Sequence, residues 1–206
     1  MKAYEEYGVL NNNLRLVQRA VFSIAALAFS ASASAQWSLD LDNSQLSFVT
    51  VKAEHIAEVH SFSRLEGQID AAGNARISID LSSVETGIAI RNERMQSMLF
   101  ETGLYPQAAV SAAINTDALS AIAVGEEMAL DAQLTLALHG AETVISAPLR
   151  VTRQADGVRV STLSPLIITA ESVGLVAGVE SLREIAGLPS ISRAVPVTFS
   201  VKFVAD

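Results

Sequence analysis

Downstream of Trp37 the chain alternates apolar and polar positions in short runs bounded by Gly, Asn, Asp or Pro. A period of two places alternate side chains on opposite faces of an extended backbone, so each run predicts a half-buried antiparallel strand. Leu46 and Phe48 alternate with polar neighbours; Val59, Leu65 and Ile69 share parity, and Ile77, Ile79 and Leu81 do so after a turn at Ala72-Gly73-Asn74. The pattern continues from Ala108 to Ile114, from Met128 to Leu138 and from Ile145 to Val151, and Asp156-Gly157 predicts a hairpin into Val158 and Val160. In the last run Val195, Val197, Phe199, Val201 and Phe203 face one way, with Thr198, Ser200 and Lys202 facing the other. At least eight strand candidates at hairpin spacing predict an all-β fold, either a closed barrel or a sandwich. Alternation alone does not choose between them.

Two stretches break the alternation. Residues 91–100 (RNERMQSMLF) set Met95 and Leu99 four apart on one face and charges on the other, which predicts a short amphipathic helix. Residues 179–186 (VESLREIA) predict a second, with Gly187 suited to the left-handed position after a helix and Pro189 preventing continuation. No domain-scale linker, low-complexity tract or repeat interrupts the chain after Trp37, so one domain is expected over residues 36–206.

The amino-terminal stretch has a different character. Arg15 and Arg19 precede an apolar run of about ten residues, 20–29, followed by Ser-Ala repeats ending at Ala35. Basic flank, short apolar segment and A-x-A site together predict a secretory signal peptide over residues 1–35, cleaved after Ala35, and a periplasmic location in a Gram-negative source. A spanning helix needs about 20 apolar residues, twice what is present. The charge-mixed residues 1–14 exceed what an export flank needs, and translation is expected to begin further in.

Charge narrows the partners. The 206 residues carry a net charge of −8, and removing the leader leaves 11 basic and 20 acidic residues, a net charge of −9. Without a basic cluster there is nothing to neutralise phosphates, so nucleic acid is not expected as a partner. An anionic chain without a basic amphipathic helix is not expected to insert stably in a membrane. The absence of cysteine excludes thiolate metal sites, thiol catalysis, disulfides and a lipid-modified cysteine.

Catalytic chemistry finds little support. His55 and His60 are five apart, an odd offset that points strand side chains to opposite faces, so they read as two partly exposed strand histidines and no metal site is assigned. His139 precedes Gly140 at a strand end and reads as a hydrogen-bonding turn residue. There is no G-x-S-x-G elbow, glycine-rich phosphate loop or dinucleotide fingerprint, and no catalytic residue or cofactor is assigned.

One segment is denser in specific features. Ser83-Val84-Glu85-Thr86-Gly87 ends a strand, Arg91-Asn92-Glu93-Arg94 opens the first helix, Met98-Leu99-Phe100 closes it and Tyr105-Pro106 precedes the next strand. Phe100 and Tyr105 could plug the helix into the core. Arg91 and Arg94 could pair with Glu85, Glu93 or Glu101 and tie loops together, or could flank a pocket mouth and meet a polar ligand head. The segment resembles the signature of the YceI-like family, S-[IV]-[DE]-T-G, then R-[DN]-x-x-[LM], F and YP. Leu134-Thr135-Leu136 with His139-Gly140, and the opening Trp37-Ser38-Leu39-Asp40, are similar to two further family features, and the resemblance spans residues 37–204. Asn92 departs from the aspartate usual at its place.

The resemblance implies an extended, eight-stranded, lipocalin-like antiparallel β-barrel with one or two short helices, exported, whose apolar interior holds a polyisoprenoid such as a prenyl quinone or another long-chain amphiphile. The residues agree at one point: only seven aromatics follow the leader, and inward-parity positions are mostly Val, Ile, Leu and Ala. An eight-stranded barrel can be filled by its own side chains or hold one small ligand, and small aliphatic walls favour the second. Phe48, Ile79, Leu81, Val110, Leu134, Leu136, Leu149, Phe199 and Val201 are the candidate lining, with Arg91, Arg94, Phe100 and Tyr105 at the mouth. A binding protein rather than an enzyme is the expectation. The alternatives are an enzyme acting on a lipid or quinone derivative, with His139 or Glu85 as base, and an envelope stress or redox-partner protein that holds no stable ligand or delivers one to a membrane partner. The sequence sets no oligomeric state.

Overall fold

The computed structural model describes residues 35–206, with side chains from Trp37 onward. The leader expected over residues 1–35 lies, apart from Ala35, outside the described residues. Eleven strands follow in chain order: β1 (Ala35–Lys52), β2 (Ile56–Phe62), β3 (Leu65–Asp70), β4 (Asn74–Asp80), β5 (Val84–Glu85), β6 (Gln107–Ala113), β7 (Glu127–Leu138), β8 (Ala141–Gln154), β9 (Gly157–Thr162), β10 (Leu166–Thr169) and β11 (Ala194–Ala205). Antiparallel pairing runs β11-β9-β8-β7-β6-β4-β3-β1 and returns from β1 to β11, so eight strands close a barrel. Closure, which the alternation left open, removes every free edge from that ring.

The two ends of the barrel differ. The first half of β1 pairs with β3 and β11, Trp37 opposite Ile69 on one side and Ala205 on the other. Between Asp40 and Gln45 the register with β11 shifts, and Asp40 accepts from Asn43 while the Ser44 hydroxyl donates to the Asp40 carbonyl. A bulge of this kind bends the strand. Past it, β1 leaves β3 and pairs with β2 along the edge away from β11, from Ser47 opposite Ser61 to Lys52 opposite Ile56. β5 extends β2, and β10 adds to the start of β11, so the sheet is broadened at this end.

Core packing follows this asymmetry. At the narrow end Trp37, Ile69, Val151, Val158, Val201 and Phe203 pack together with Leu119. Leu119 belongs to a helix, α2 (Thr116–Ser120), that strand periodicity did not anticipate; the Asn115 side chain caps it by accepting from the Ala118 N–H. At the broad end two helices cross the opening. The predicted helix at 91–100 forms as α1 (Ala89–Arg94), continuing through a π-type turn over Met95–Leu99 that is closed by the Phe100 N–H on the Met95 carbonyl at 2.9 Å. The predicted helix at 179–186 forms as α3 (Val176–Ile185), three residues longer at its start. Gly178 lets α3 approach closely, since a Cβ there would sit 2.8 Å from both the Leu99 Cα and the Met98 carbonyl oxygen. Among the described residues no helix is long and apolar enough to cross a membrane.

His139 and Gly140 both have positive φ, 52° and 75°, between Leu138 and Ala141 of the β7–β8 pair. That is the backbone of a two-residue type I′ hairpin, which fixes the register of β7 against β8.

Candidate functional site

Beneath the two helices the broad half of the barrel is hollow. A cavity of about 430 Å³ runs from an opening between α1 and the end of α3 toward the middle of the sheet, and its lining is almost wholly aliphatic and aromatic. That volume falls in the ordinary range for small-molecule sites. Of the sequence-derived lining, Phe48, Ile79, Leu81, Val110, Leu134, Leu136 and Phe199 face this cavity. Leu149 and Val201 do not: Leu149 packs with Leu134, Ala147 and Leu166, and Val201 lies in the closed end with Trp37 and Phe203. Parity sends both inward, but into the part of the barrel that is filled. The interior is therefore open at one end and packed shut at the other.

The mouth also departs from expectation. Arg91 and Arg94 line the cavity at its opening, together with Ile88 just before α1 and Ile90 on it, which are about half exposed. Phe100, expected at the mouth, is buried in the wall at 5% exposure. Tyr105 does not line the cavity. Its ring packs on His139 with centroids 4.5 Å apart, and His139 Nε2 lies 2.7 Å from Glu101 Oε2. Glu85 accepts from the Gly87 N–H and from Asn92. Neither His139 nor Glu85 lines the cavity, so neither is placed to act on a chain held there.

Sequence reasoning missed the wall contributed by β2. Val59 is 70% exposed, whereas Glu58, His60 and Phe62 face the cavity, so the parity that joined Val59 to Leu65 and Ile69 is broken at the loop between β2 and β3. His60, expected partly exposed, is only 3% exposed. Its Nε2 is 2.9 Å from the Thr50 hydroxyl, and its ring meets Phe48 edge-on at 5.3 Å. Phe48, Phe62 and Phe100 continue this aromatic ladder at centroid separations of 5.4 and 5.8 Å. Burial first, and the Arg91 charge second, push His60 below its ordinary value, so the ring is neutral at pH 7. His55 sits in an exposed turn beside Glu54, away from His60.

Charge enters the lining only near the opening. Glu58 Oε2 lies 2.7 Å from Lys52 Nζ and 2.8 Å from Arg91 Nη1. Arg91 therefore pairs with Glu58, 33 residues away, rather than with Glu85, Glu93 or Glu101. Its Nη2 donates to the Thr86 carbonyl at 2.6 Å. Thr86 is held in turn by Asn92, whose Oδ1 accepts from the Thr86 N–H and hydroxyl while its Nδ2 donates to Glu85. An aspartate at position 92 would turn that last contact into a repulsion between carboxylates. The S-V-E-T-G segment and the helix start are thus one hydrogen-bonded unit, and Arg91 fastens it to β2. Arg94 has no carboxylate within ion-pair distance among the described residues.

Two results are expected from this geometry. Arg91→Ala should lower stability by about 1–2 kcal/mol, because the Thr86 carbonyl and Glu58 both lose a charged donor; chemical denaturation measures it. The hydrogen bond from Lys52, then that from Arg91, hold the Glu58 carboxyl below its usual range. A carboxyl lowered on folding stabilises above its unfolded value, about 4.3, and that contribution is lost as the pH falls through the lower folded value. Glu58→Gln should therefore melt below the native protein at pH 7 and converge with it in acid, as melting curves across pH will show.

The comparisons with known proteins place this geometry. A family model described as the YceI-like domain matches residues 37–203. A solved structure of a polyisoprenoid-binding domain from Saccharophagus degradans, implicated in plant cell wall breakdown, is 44% identical with a TM-score of 0.82, covering 84% of this chain and 99% of that one. BcnA of Burkholderia cenocepacia, at 20% identity and a TM-score of 0.62 over 80% of this chain and 98% of its own, shares the fold. Among curated proteins nothing matches. With the family pattern running through strand, helix and hairpin over nearly all the described residues, the chain belongs to the YceI-like family.

Proposed function

We propose that this protein is an exported, periplasmic carrier that holds a polyisoprenoid or another long-chain amphiphile in the open half of its barrel. The observation that carries this reading is the continuous apolar cavity, open at one end and closed at the other by side chains. Every chain carbon that enters the cavity leaves water for an almost wholly apolar wall. Burying these carbons at ~0.8 kcal/mol each offsets the cost of immobilising the ligand, so binding needs no covalent step. The 44% identical domain described as polyisoprenoid-binding supports an isoprenoid chain. The leader-like residues 1–35 support export.

Native mass spectrometry of the protein purified from its own cells, followed by solvent extraction, tests this reading. One bound long-chain molecule per barrel is expected. A barrel that is empty, and that takes up neither a prenyl chain nor a fatty chain when offered one, overturns it.

A further inference from the structure

Two uncharged stretches form the outer lips of the barrel opening: residues 86–90 (TGIAI), leading into α1, and residues 185–191 (IAGLPSI), leaving α3. Ile88, Ile90 and Ile185 on these lips are 47%, 52% and 48% exposed, and Ala186 beside them is exposed as well. Seating the helices does not require them, since α1 with its π-type turn, and α3, are buried through Met95, Leu99 and Val179. A single exposed apolar side chain is ordinary on a protein surface, and Val124 and Val144 are of that kind. Three isoleucines from two elements converging on one opening are not, because contiguous exposed apolar surface marks a place that another apolar phase covers. The charges around the lips are cationic in a chain whose net charge is −8: Lys52, Arg91 and Arg94 stand there against the single carboxylate of Glu58. Glu93, the one acidic residue of α1, points to the other side of the helix, into a shallow outer depression with Gln96 and Leu104. Glu184 lies 3.5 Å from Arg183, and Glu85 is taken up by the Gly87 N–H and Asn92.

We propose that the two lips are a docking surface for a phospholipid bilayer, with Ile88, Ile90 and Ile185 entering the headgroup layer and Arg94 meeting lipid phosphates, so that the barrel opens toward the membrane. This rests on the reading of the cavity as a chain-binding site. A chain leaving the bilayer then passes from acyl layer to apolar wall without crossing water, which removes the cost of exposing it on the way. A protein capping the opening would cover the same isoleucines but close that route. The attachment is peripheral and reversible: no helix among the described residues is long and apolar enough to span, and three side chains reach only the headgroup boundary. At about 0.15 M salt, charges more than ~8 Å from the contact are largely screened, so the cations at the lips outweigh the acidic remainder of the surface.

Vesicle flotation at about 0.15 M salt tests this, with vesicles of phosphatidylcholine alone and of phosphatidylcholine mixed with phosphatidylglycerol. The native protein should float with both and bind the mixed vesicles at least about threefold more strongly. Ile88 occupies the N-cap of α1 without a capping side chain, so asparagine there removes apolar surface while supplying a favoured cap. Ile88→Asn combined with Ile185→Asn should lower partitioning at least about tenfold, and Ile88→Asn alone at least about threefold, with melting curves confirming that both are folded. Val124→Asn, on an equally exposed side chain in the loop after α2 at the closed end, should change nothing, and Arg94→Gln should abolish the preference for the mixed vesicles. A native protein that does not float, or an equal loss in Val124→Asn, overturns the docking surface; equal binding to the two vesicles overturns the part given to the cations. Uptake of hexadecanol from solution, titrated on the same delipidated protein without vesicles, separates the two claims: it persists if only the docking fails and is absent if the chain-binding reading itself fails.

Discussion

Val110→Trp should abolish tight binding of a long chain while leaving the barrel folded. Val110 lies on β6 between Ile77 and Leu136 of the neighbouring strands, at the level where the hollow half meets the packed middle of the barrel. It is only partly buried because the cavity lies in front of it. An indole there fills space that a chain would occupy and buries its own apolar surface, so the cost of overpacking is at least partly offset. Displacing on the order of five chain carbons at ~0.8 kcal/mol each weakens binding about a thousandfold. Titration with a hexadecyl ligand, alongside a melting curve close to that of the native protein, checks both halves. Undiminished affinity would mean that the chain does not reach the centre of the barrel.

The second large effect concerns closure. Gly157 opens β9 opposite Val204 of β11, and a Cβ added there would fall on the Phe203 carbonyl oxygen, a backbone atom that cannot rotate away. Val158 beside it and Phe203 opposite are both in the closed-end core. Gly157→Ala must therefore separate β9 from β11 at the seam, losing ladder hydrogen bonds and core contacts together. A loss of about 3 kcal/mol is expected, a fall in melting temperature of roughly 6–12 °C for a domain of this size. Calorimetry decides it, and an unchanged melting temperature would contradict the β9–β11 register.

Much of this architecture was legible in the residues. The alternation of β11, the His139-Gly140 turn and the Asp156-Gly157 hairpin each leave a local trace, because the physics that sets them acts between near neighbours. The family pattern then chose a barrel where alternation could not. What stayed hidden was decided at longer range. Parity states which residues face inward but not how far along the axis, so Leu149 and Val201 were grouped with the cavity although their end is filled. β2 reads backward, with Val59 exposed and Glu58 and His60 inside, because its inner face meets the charged part of the lining. The Glu58–Arg91 pair joins residues 33 apart that no spacing rule connects. α2 did leave a signal, the Asn-Thr-Asp cap before Ala118 and Leu119, but at five residues it is too short to show a period.

The functional readings differ in what they ask of the interior. A packed barrel or a partner-binding scaffold needs no cavity, and His139 and Glu85, the bases considered for a lipid-modifying enzyme, lie outside the lining. A carrier needs only length, apolarity and an opening.

The most direct measurement is equilibrium binding across a series of primary alcohols of increasing chain length, whose neutral head keeps the result independent of the charges at the mouth. Affinity is predicted to rise about three- to fourfold per added methylene and to level off once the chain fills the cavity. Affinity that does not change with chain length, or no binding at any length, would contradict a chain held inside the barrel.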